Sequence, residues 1–156
     1  MNKVNRFLPF YTGEGDDHSP PLKWTDPPPK AKSLALICED PDAPRGIFIH
    51  WVIFNLPAES RELSENILHQ AVFPNGTVQG VNSFGNVGYG GPMPPPGPPH
   101  RYYFRLFALD RMLGLPAGVK SEQVYSAMQG HILGKAELMG TYARGQAKAQ
   151  AEVANH

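Results

Sequence analysis

The sequence has little cysteine, no excess of charge and no long apolar run. Its 156 residues include one cysteine, Cys38, which excludes an intramolecular disulfide. The 14 basic and 14 acidic side chains give a formal net charge of zero, so no long-range field draws the protein to nucleic acid or to an anionic membrane surface. No stretch approaches the roughly 18 apolar residues of a membrane span, and the N-terminus lacks the apolar run of a signal peptide. We therefore expect a cytoplasmic protein that is not an integral membrane protein and has no nucleic-acid partner.

Proline, by contrast, is abundant, with 17 residues in 156 against a usual frequency of about 5%. The prolines cluster between apolar runs, at 20–21, 27–29, 41–44 and 92–99. Because proline disfavours helix interiors and stiffens turns, this pattern predicts a β domain with rigid, shaped loops. The length suits one domain, which we place at residues 1–142, followed by a frayed or disordered tail at 143–156.

Apolar runs predict the main strands. Three continuous runs read as buried strands, at Ser33–Cys38, Ile47–Leu56 and Tyr102–Leu109. Shorter strands are predicted at Leu22–Trp24, Val72–Phe73 and Gln79–Val81. The dipeptide Asn75-Gly76 supplies a tight turn between the last two.

The C-terminal third reads as helical. Apolar residues recur there at three- and four-residue steps, at Val124, Ala127, Met128, Ile132, Ala136 and Met139. The pattern predicts one amphipathic helix that begins at Ser121 as its N-cap and ends near Gly140.

Two segments each place one histidine among prolines and glycines at the ends of apolar runs. Residues 38–57 read CEDPDAPRGIFIHWVIFNLP, and residues 88–110 read GYGGPMPPPGPPHRYYFRLFALD. The candidate ligand-binding residues are Asp40, Pro44, His50, Gly90, Gly91, Pro94, Pro95, His100 and Tyr102. Imidazole, phenol and glycine backbone donors suit a small anion, while the prolines fix the loops before the ligand arrives. Asp40 is expected to orient and charge a histidine or to receive a ligand ammonium group.

Several of these residues also have structural interpretations. A lone histidine within an apolar strand, such as His50, is more often a structural hydrogen-bonding group, and Asp42 could cap its own turn as easily as face a cavity. Trp24, Trp51 and Cys38 are expected in the core, with Cys38 as an inert buried thiol. His131, beside Ile132 on the predicted helix, is expected to be structural. His18 and His69 are expected in loops.

Metal binding and catalysis are both weakly indicated. Two histidines with Asp40 resemble a facial metal triad, but these residues come from separate segments without the short spacing of a zinc site. Ser83 lacks the strand–turn–helix setting of a nucleophile, and there is no phosphate-binding P-loop or dinucleotide-binding glycine fingerprint. We therefore expect a binding protein without enzymatic activity, metal or cofactor.

The motifs DPDAP, HWV with NLP, and GYGGPMPPPG with HRY and ALD resemble those of the phosphatidylethanolamine-binding protein family. They are most similar to its small bacterial and archaeal branch, the Raf kinase inhibitor-like proteins, and the resemblance extends from Tyr11 to Tyr142. It implies a central antiparallel sheet, a smaller second sheet packed on one face, a C-terminal helix and a small anion-binding cavity. Position by position, the cavity residues match Asp40, Pro44, His50, Gly91, Pro94, Pro95, His100 and Tyr102. Met93 departs from the pattern, since many prokaryotic relatives have cysteine there.

The resemblance also implies ligands and partners. The expected ligand is phosphate or a phosphorylated headgroup such as phosphorylethanolamine. The alternative is an inhibitor that places the rim of its pocket on a protein kinase or protease. A homodimer is expected, since the short N-terminus carries an apolar patch at residues 7–10. The acid-proline turn makes Ala43–Pro44 a candidate cis peptide bond.

Overall fold

Strands dominate the architecture, which is taken from a computed structural model that describes residues 4–6, 11–13 and 15–144. Its eight strands and one helix follow the chain as β1 (Val4–Arg6), β2 (Leu22–Lys23), β3 (Ser33–Asp40), β4 (Phe48–Pro57), β5 (Glu62–Leu63), β6 (Val78–Gln79), β7 (His100–Leu109), α1 (Ser121–Met128) and β8 (Ile132–Tyr142). Six strands form the main sheet in the order β1-β8-β7-β3-β4-β6, and β2 pairs with β5 in a small second sheet. All pairs are antiparallel except β1 with β8. The predicted fold class is confirmed.

Apolar side chains fill both faces of the main sheet. On one face, Trp51 and Phe104 pack in a cluster with Leu22 and Leu63 of the small sheet. On the other face, Ile37 and Phe54 belong to a second cluster that includes buried residues of α1. Because both faces are covered, β3 and the interior of β4 are buried at every position, which explains their continuous apolar runs. The three long predicted strands are confirmed.

The predicted long helix is wrong beyond Met128. Gly130 adopts a left-handed φ of 82°, and the chain then pairs with β7 from Ile132 to Tyr142. Side chains in this segment alternate between the two faces of the sheet, as they do in a strand. Ala136 and Leu138 pack on the core, while Glu137 between them pairs with Arg105 on the other face. The spacing of apolar residues 132 and 136 fits both the helical repeat and the two-residue repeat of a strand. The extensive backbone pairing with β7 stabilises the strand.

Local predictions differ in detail from the structure. Lys120, not Ser121, is the N-cap of α1, and its backbone N–H donates to Gln123 Oε1 at 2.9 Å. Ser121 is the first helical residue and is buried. The turn at Asn75-Gly76 forms as predicted, with Gly76 at a φ of 92°.

Two further local predictions are wrong. Val72–Phe73 makes only an isolated bridge, from Val72 to Val78, since Pro74 directly after it lacks a backbone donor. The Ala43–Pro44 bond is trans, as are most bonds that precede proline.

Several further predictions concern single residues and the two ends of the chain. Trp24, Trp51 and Cys38 are buried in the core. His131 is not on the helix; its Nδ1 lies 2.8 Å from Asp110 Oδ1. The patch at residues 7–10 and most of the predicted tail, residues 145–156, lie outside the described residues. Within the part of the chain that is described, no helix has the length and apolarity to cross a bilayer.

Candidate functional site

Three neighbouring strands in the interior of the main sheet bring the candidate side chains together at one end of the strands. Asp40 ends β3, His100 begins β7 on one side of it, and His50 lies in β4 on the other. Because β3 runs antiparallel to both neighbours, the end of β3 meets the start of β7 and the start of β4. A cavity of about 190 Å³ lies there, lined by Asp40, Ala43, Pro44, Phe48, His50, Phe84, Met93, Pro94, Pro95, His100 and Tyr102.

His100 and Asp40 form a nearly buried pair. The Nδ1 of His100 lies 2.7 Å from Asp40 Oδ2, and the two side chains are 12% and 4% exposed. Asp40 Oδ1 accepts the backbone N–H of Asp42 at 2.7 Å. Both carboxylate oxygens thus have donors, and the pairing fixes the proton of His100 on Nδ1 in the neutral ring. The carboxylate orients the imidazole, one of the two roles expected for Asp40.

His50 is held by the backbone rather than by a carboxylate. Its Nδ1 donates to the carbonyl oxygen of Gly90 at 2.6 Å. Burial lowers the pKa of His50 to about 4, although the Gly90 hydrogen bond and the charge of Asp40 act in the opposite direction. The ring is therefore neutral near pH 7, with its proton on Nδ1 and a lone pair on Nε2.

Aromatic rings fix the position of the His50 imidazole. Its ring meets that of Tyr102 nearly edge-on, with centroids 5.3 Å apart, and lies against the rings of Phe48 and Phe84. Tyr102 is itself buried, and burial followed by the charge of Asp40 raises the pKa of its phenol. The hydroxyl consequently keeps its proton at physiological pH.

Gly90 and Gly91 do not line this cavity. The N–H of Gly90 donates to the His50 carbonyl oxygen at 2.9 Å, and that of Gly91 donates to Asp17 Oδ1 at 2.6 Å. Their backbone donors are therefore engaged within the protein and are not directed at a ligand. The hydrogen bonds of Gly90 hold His50 in place. The other seven candidate residues from the sequence line the cavity together.

Asp42 takes neither of the positions considered from the sequence. Its Oδ1 and Oδ2 accept the guanidinium of Arg101 at 2.8 and 2.9 Å, and Oδ2 also accepts the Arg101 backbone N–H. These hydrogen bonds lower the pKa of Asp42 to about 2. The pair fastens the loop after β3 to the start of β7, close to His100.

Sequence reasoning placed no apolar side chain other than proline in the cavity, although Met93 stood out as a departure from the family pattern. Phe48, Phe84 and Met93 line the cavity, and the last two also border a larger adjoining cavity of about 560 Å³. Asp17 and His69 line that second cavity, together with both glycines. No motif marks Phe84 or Asp17, because long-range folding alone brings them to the site.

Arg144 fixes another part of the wall. Its Nε donates to the carbonyl oxygen of Pro94 at 3.0 Å, which ties the chain after β8 to the proline-rich loop. Among the residues described here, no three His, Cys, Asp or Glu side chains converge as metal ligands.

The family can now be assigned from comparisons with known proteins. A family model described as phosphatidylethanolamine-binding protein matches residues 2–143. A UPF0098 protein of Methanothermobacter thermautotrophicus is 54% identical over 145 residues, which cover 93% of this chain and 95% of that protein. A further UPF0098 protein, from Aquifex aeolicus, is 47% identical over 86% of this chain and 79% of its own length.

Solved structures agree. A putative phosphatidylethanolamine-binding protein homolog from Chlamydia trachomatis has a TM-score of 0.83 at 42% identity, covering 92% of this chain and 93% of that one. The chain belongs to the phosphatidylethanolamine-binding protein family, as its motifs predicted.

Proposed function

We propose that this protein is a non-enzymatic binding protein whose cavity holds phosphate or a phosphorylated headgroup such as phosphorylethanolamine. One observation carries the proposal: the imidazoles of His50 and His100 line the same cavity, and each has Nδ1 committed to a protein acceptor. Each ring therefore keeps Nε2 for a ligand. Two imidazoles on one cavity can share an oxyanion, since each Nε2 becomes a donor when its ring is protonated and accepts a proton from the ligand when it is not. The Tyr102 phenol lies in the same wall.

Charge at the site favours an anion that arrives with a proton. The neutral His50 offers a lone pair at Nε2, so a dianion binds there only if the ring takes up a proton, whereas a monoanion can donate its own O–H. Asp40 opposes the anion by its charge, and a protonated His100, whose Nδ1 lies 2.7 Å from Asp40 Oδ2, offsets that repulsion. Lysine and arginine are missing from the cavity lining, so the charge must come from the histidines.

The composition of the wall supports binding without catalysis. The lining residues include no serine, threonine, cysteine or lysine nucleophile, and both oxygens of the Asp40 carboxylate already accept hydrogen bonds within the protein. Pro44, Pro94 and Pro95 fix the wall before a ligand arrives, which lowers the entropic cost of binding.

Isothermal titration with sulfate, phosphate and phosphorylethanolamine tests the proposal. We expect all three to bind one site per chain and to compete with one another. Sulfate is informative because it does not titrate near neutral pH, so any pH dependence reports on the protein. If none of the three anions binds, the proposal is wrong, and an inhibitor that acts on a kinase or protease through the pocket rim becomes the better hypothesis.

A further inference from the structure

One peptide group links a carboxylate outside the cavity to an imidazole within it. The carbonyl oxygen of Gly90 accepts His50 Nδ1–H, and the N–H of Gly91, in the same peptide group, donates to Asp17 Oδ1. Both hydrogen bonds measure 2.6 Å. Since the oxygen and nitrogen of one peptide are only ~2.3 Å apart, Asp17 Oδ1 and His50 Nδ1 lie within about 7.5 Å of each other.

We propose that Asp17 is a positioning residue for His50, acting through the Gly90–Gly91 peptide to hold the ring proton on Nδ1 and to stabilise the positive charge that the ring acquires when it takes up a proton to bind an unprotonated oxyanion such as sulfate. A carboxylate that accepts an amide N–H polarises the amide, and the carbonyl oxygen becomes a stronger acceptor. The stronger acceptor keeps Nδ1 protonated and directs proton uptake to Nε2.

His100 provides an internal comparison. Its Nδ1 contacts the carboxylate of Asp40 directly, at 2.7 Å. Both imidazoles of the cavity therefore have a carboxylate behind Nδ1, one in contact and one through a peptide. Asp17 gives His50 a weaker form of the support that Asp40 gives His100.

Other groups also affect the pKa and the position of the His50 ring, so an informative variant must change the effect of Asp17 alone. Asp40 raises its pKa, a charged His100 lowers it, and the rings of Phe48, Phe84 and Tyr102 surround it. Each of these groups lines the cavity, whereas Asp17 does not. Replacing Asp17 therefore changes the charge behind the ring and leaves the cavity wall intact.

Asp17→Asn is the informative variant. Asparagine retains an oxygen that can accept the Gly91 N–H, and it tolerates the left-handed φ of 58° at this position. The variant thus removes the charge while it keeps the hydrogen bond and the backbone. Asp16→Asn is a matched control, since Asp16 is the adjacent residue, is exposed as Asp17 is, and its replacement alters net charge equally.

Histidine ¹⁵N NMR and sulfate titration across pH test the proposal, and only the sulfate arm rests on the proposed function. In Asp17→Asn we expect the pKa of His50 to fall, and the affinity for sulfate at about pH 6 to fall roughly threefold to tenfold, as expected for one partly screened charge at this distance. Asp16→Asn should match the wild type in both measurements.

Two results would overturn the proposal: a His50 titration and ¹⁵N shifts that are the same in Asp17→Asn and Asp16→Asn, or a His50 ring that carries its proton on Nε2 in the wild type. If wild-type protein fails to bind sulfate, the proposed function fails instead. The NMR comparison then still decides whether Asp17 governs the ring.

Discussion

The histidines of the cavity differ in what lies behind each ring. His100 has a carboxylate and His50 a carbonyl oxygen, yet both rings keep Nε2 for the cavity. This arrangement makes Nε2 the atom to remove in a test. Asparagine is the suitable replacement, because its amide can mimic the Nδ1–H donor and has no counterpart of Nε2.

We expect His50→Asn and His100→Asn each to weaken sulfate binding by about 1.5–3 kcal/mol, the range for a hydrogen bond to a charged group. Isothermal titration measures the loss. His131→Asn is the control, since His131 pairs with Asp110 beyond the far end of β7. Equal affinity for His100→Asn and wild type would remove His100 from the site.

The pKa of His50 also predicts how stability depends on pH. Its value of about 4 lies below the ordinary 6.5, so between these pH values the unfolded chain binds a proton that the folded protein does not. Stability should therefore fall as pH drops from about 6.5 to about 4, with about 3 kcal/mol as the order of magnitude from this group.

Urea unfolding at several pH values measures this dependence. His50→Asn should lose the His50 part of the slope, while His131→Asn should retain it. Identical slopes in wild type and His50→Asn would show that His50 is not the group responsible.

In the glycine-containing loop 88–91, Gly91 packs against backbone atoms whereas Gly90 packs against a side chain. A Cβ on Gly91 would lie 2.6 Å from the carbonyl oxygen of Tyr11 and 2.9 Å from the Cα of Thr12, both backbone atoms. A Cβ on Gly90 would meet the ring of Phe84 at 2.5 Å, and that ring is 43% exposed. A ring can rotate away, whereas backbone cannot do so without moving its loop.

Gly91→Ala should therefore destabilise the protein by about 1–3 kcal/mol, the usual cost of overpacking, and Gly90→Ala by clearly less. Thermal or urea denaturation gives both values. A loss at Gly90 equal to that at Gly91 would contradict the distinction between ring and backbone.

The elements also show what sequence reasoning can reach. Continuous apolar runs predict β3, β4 and β7, because a strand covered on both faces has a distinct pattern. Between Ile132 and Gly140 the sequence predicts helix where the structure has strand, since that strand is only partly covered and its apolar spacing also fits a helical stripe. Pairing with β7 makes this segment a strand, and the local sequence of the segment contains no information about its partner.

The residues of the candidate site also fall into two groups, those that local motifs indicate and those that only contacts between distant segments bring to the site. Asp40, His50, His100 and Tyr102 carry chemistry and stand in motifs, so they could be found from the chain alone. Phe84 and Asp17 act through contacts with residues distant in sequence, which only the fold supplies. The glycines were found for their freedom to approach a ligand, but their actual contacts are with His50 and Asp17.

At the scale of the whole molecule, Cys38 offers a probe of cooperative opening. It is 1% exposed in β3, between β4 and β7, and burial raises the pKa of its thiol. A thiol reagent should therefore react only when the sheet opens globally. Sulfate at about 100 times its dissociation constant should slow labelling roughly 100-fold, because it binds only the folded state.

Labelling kinetics with a chromogenic disulfide give the rate. In His100→Asn at the same sulfate concentration the protection should fall to roughly twofold to ninefold, given the loss of affinity expected above. Sodium chloride at matched ionic strength should not protect the wild type. Labelling of the native protein at the rate of a small free thiol would contradict the prediction.

Strand β7 serves both faces of the sheet through alternate residues. Tyr102 belongs with the cavity and its core cluster, whereas Arg101 and Arg105, on the opposite face, pair with Asp42, Glu39 and Glu137. Deleting a single residue inside β7 would exchange the two sets, sending guanidinium groups into the cavity and the phenol to the outside. We therefore expect changes of length to be tolerated in the loops that flank β7, whereas over residues 100–105 only replacement of one residue by another keeps both sets of side chains in place.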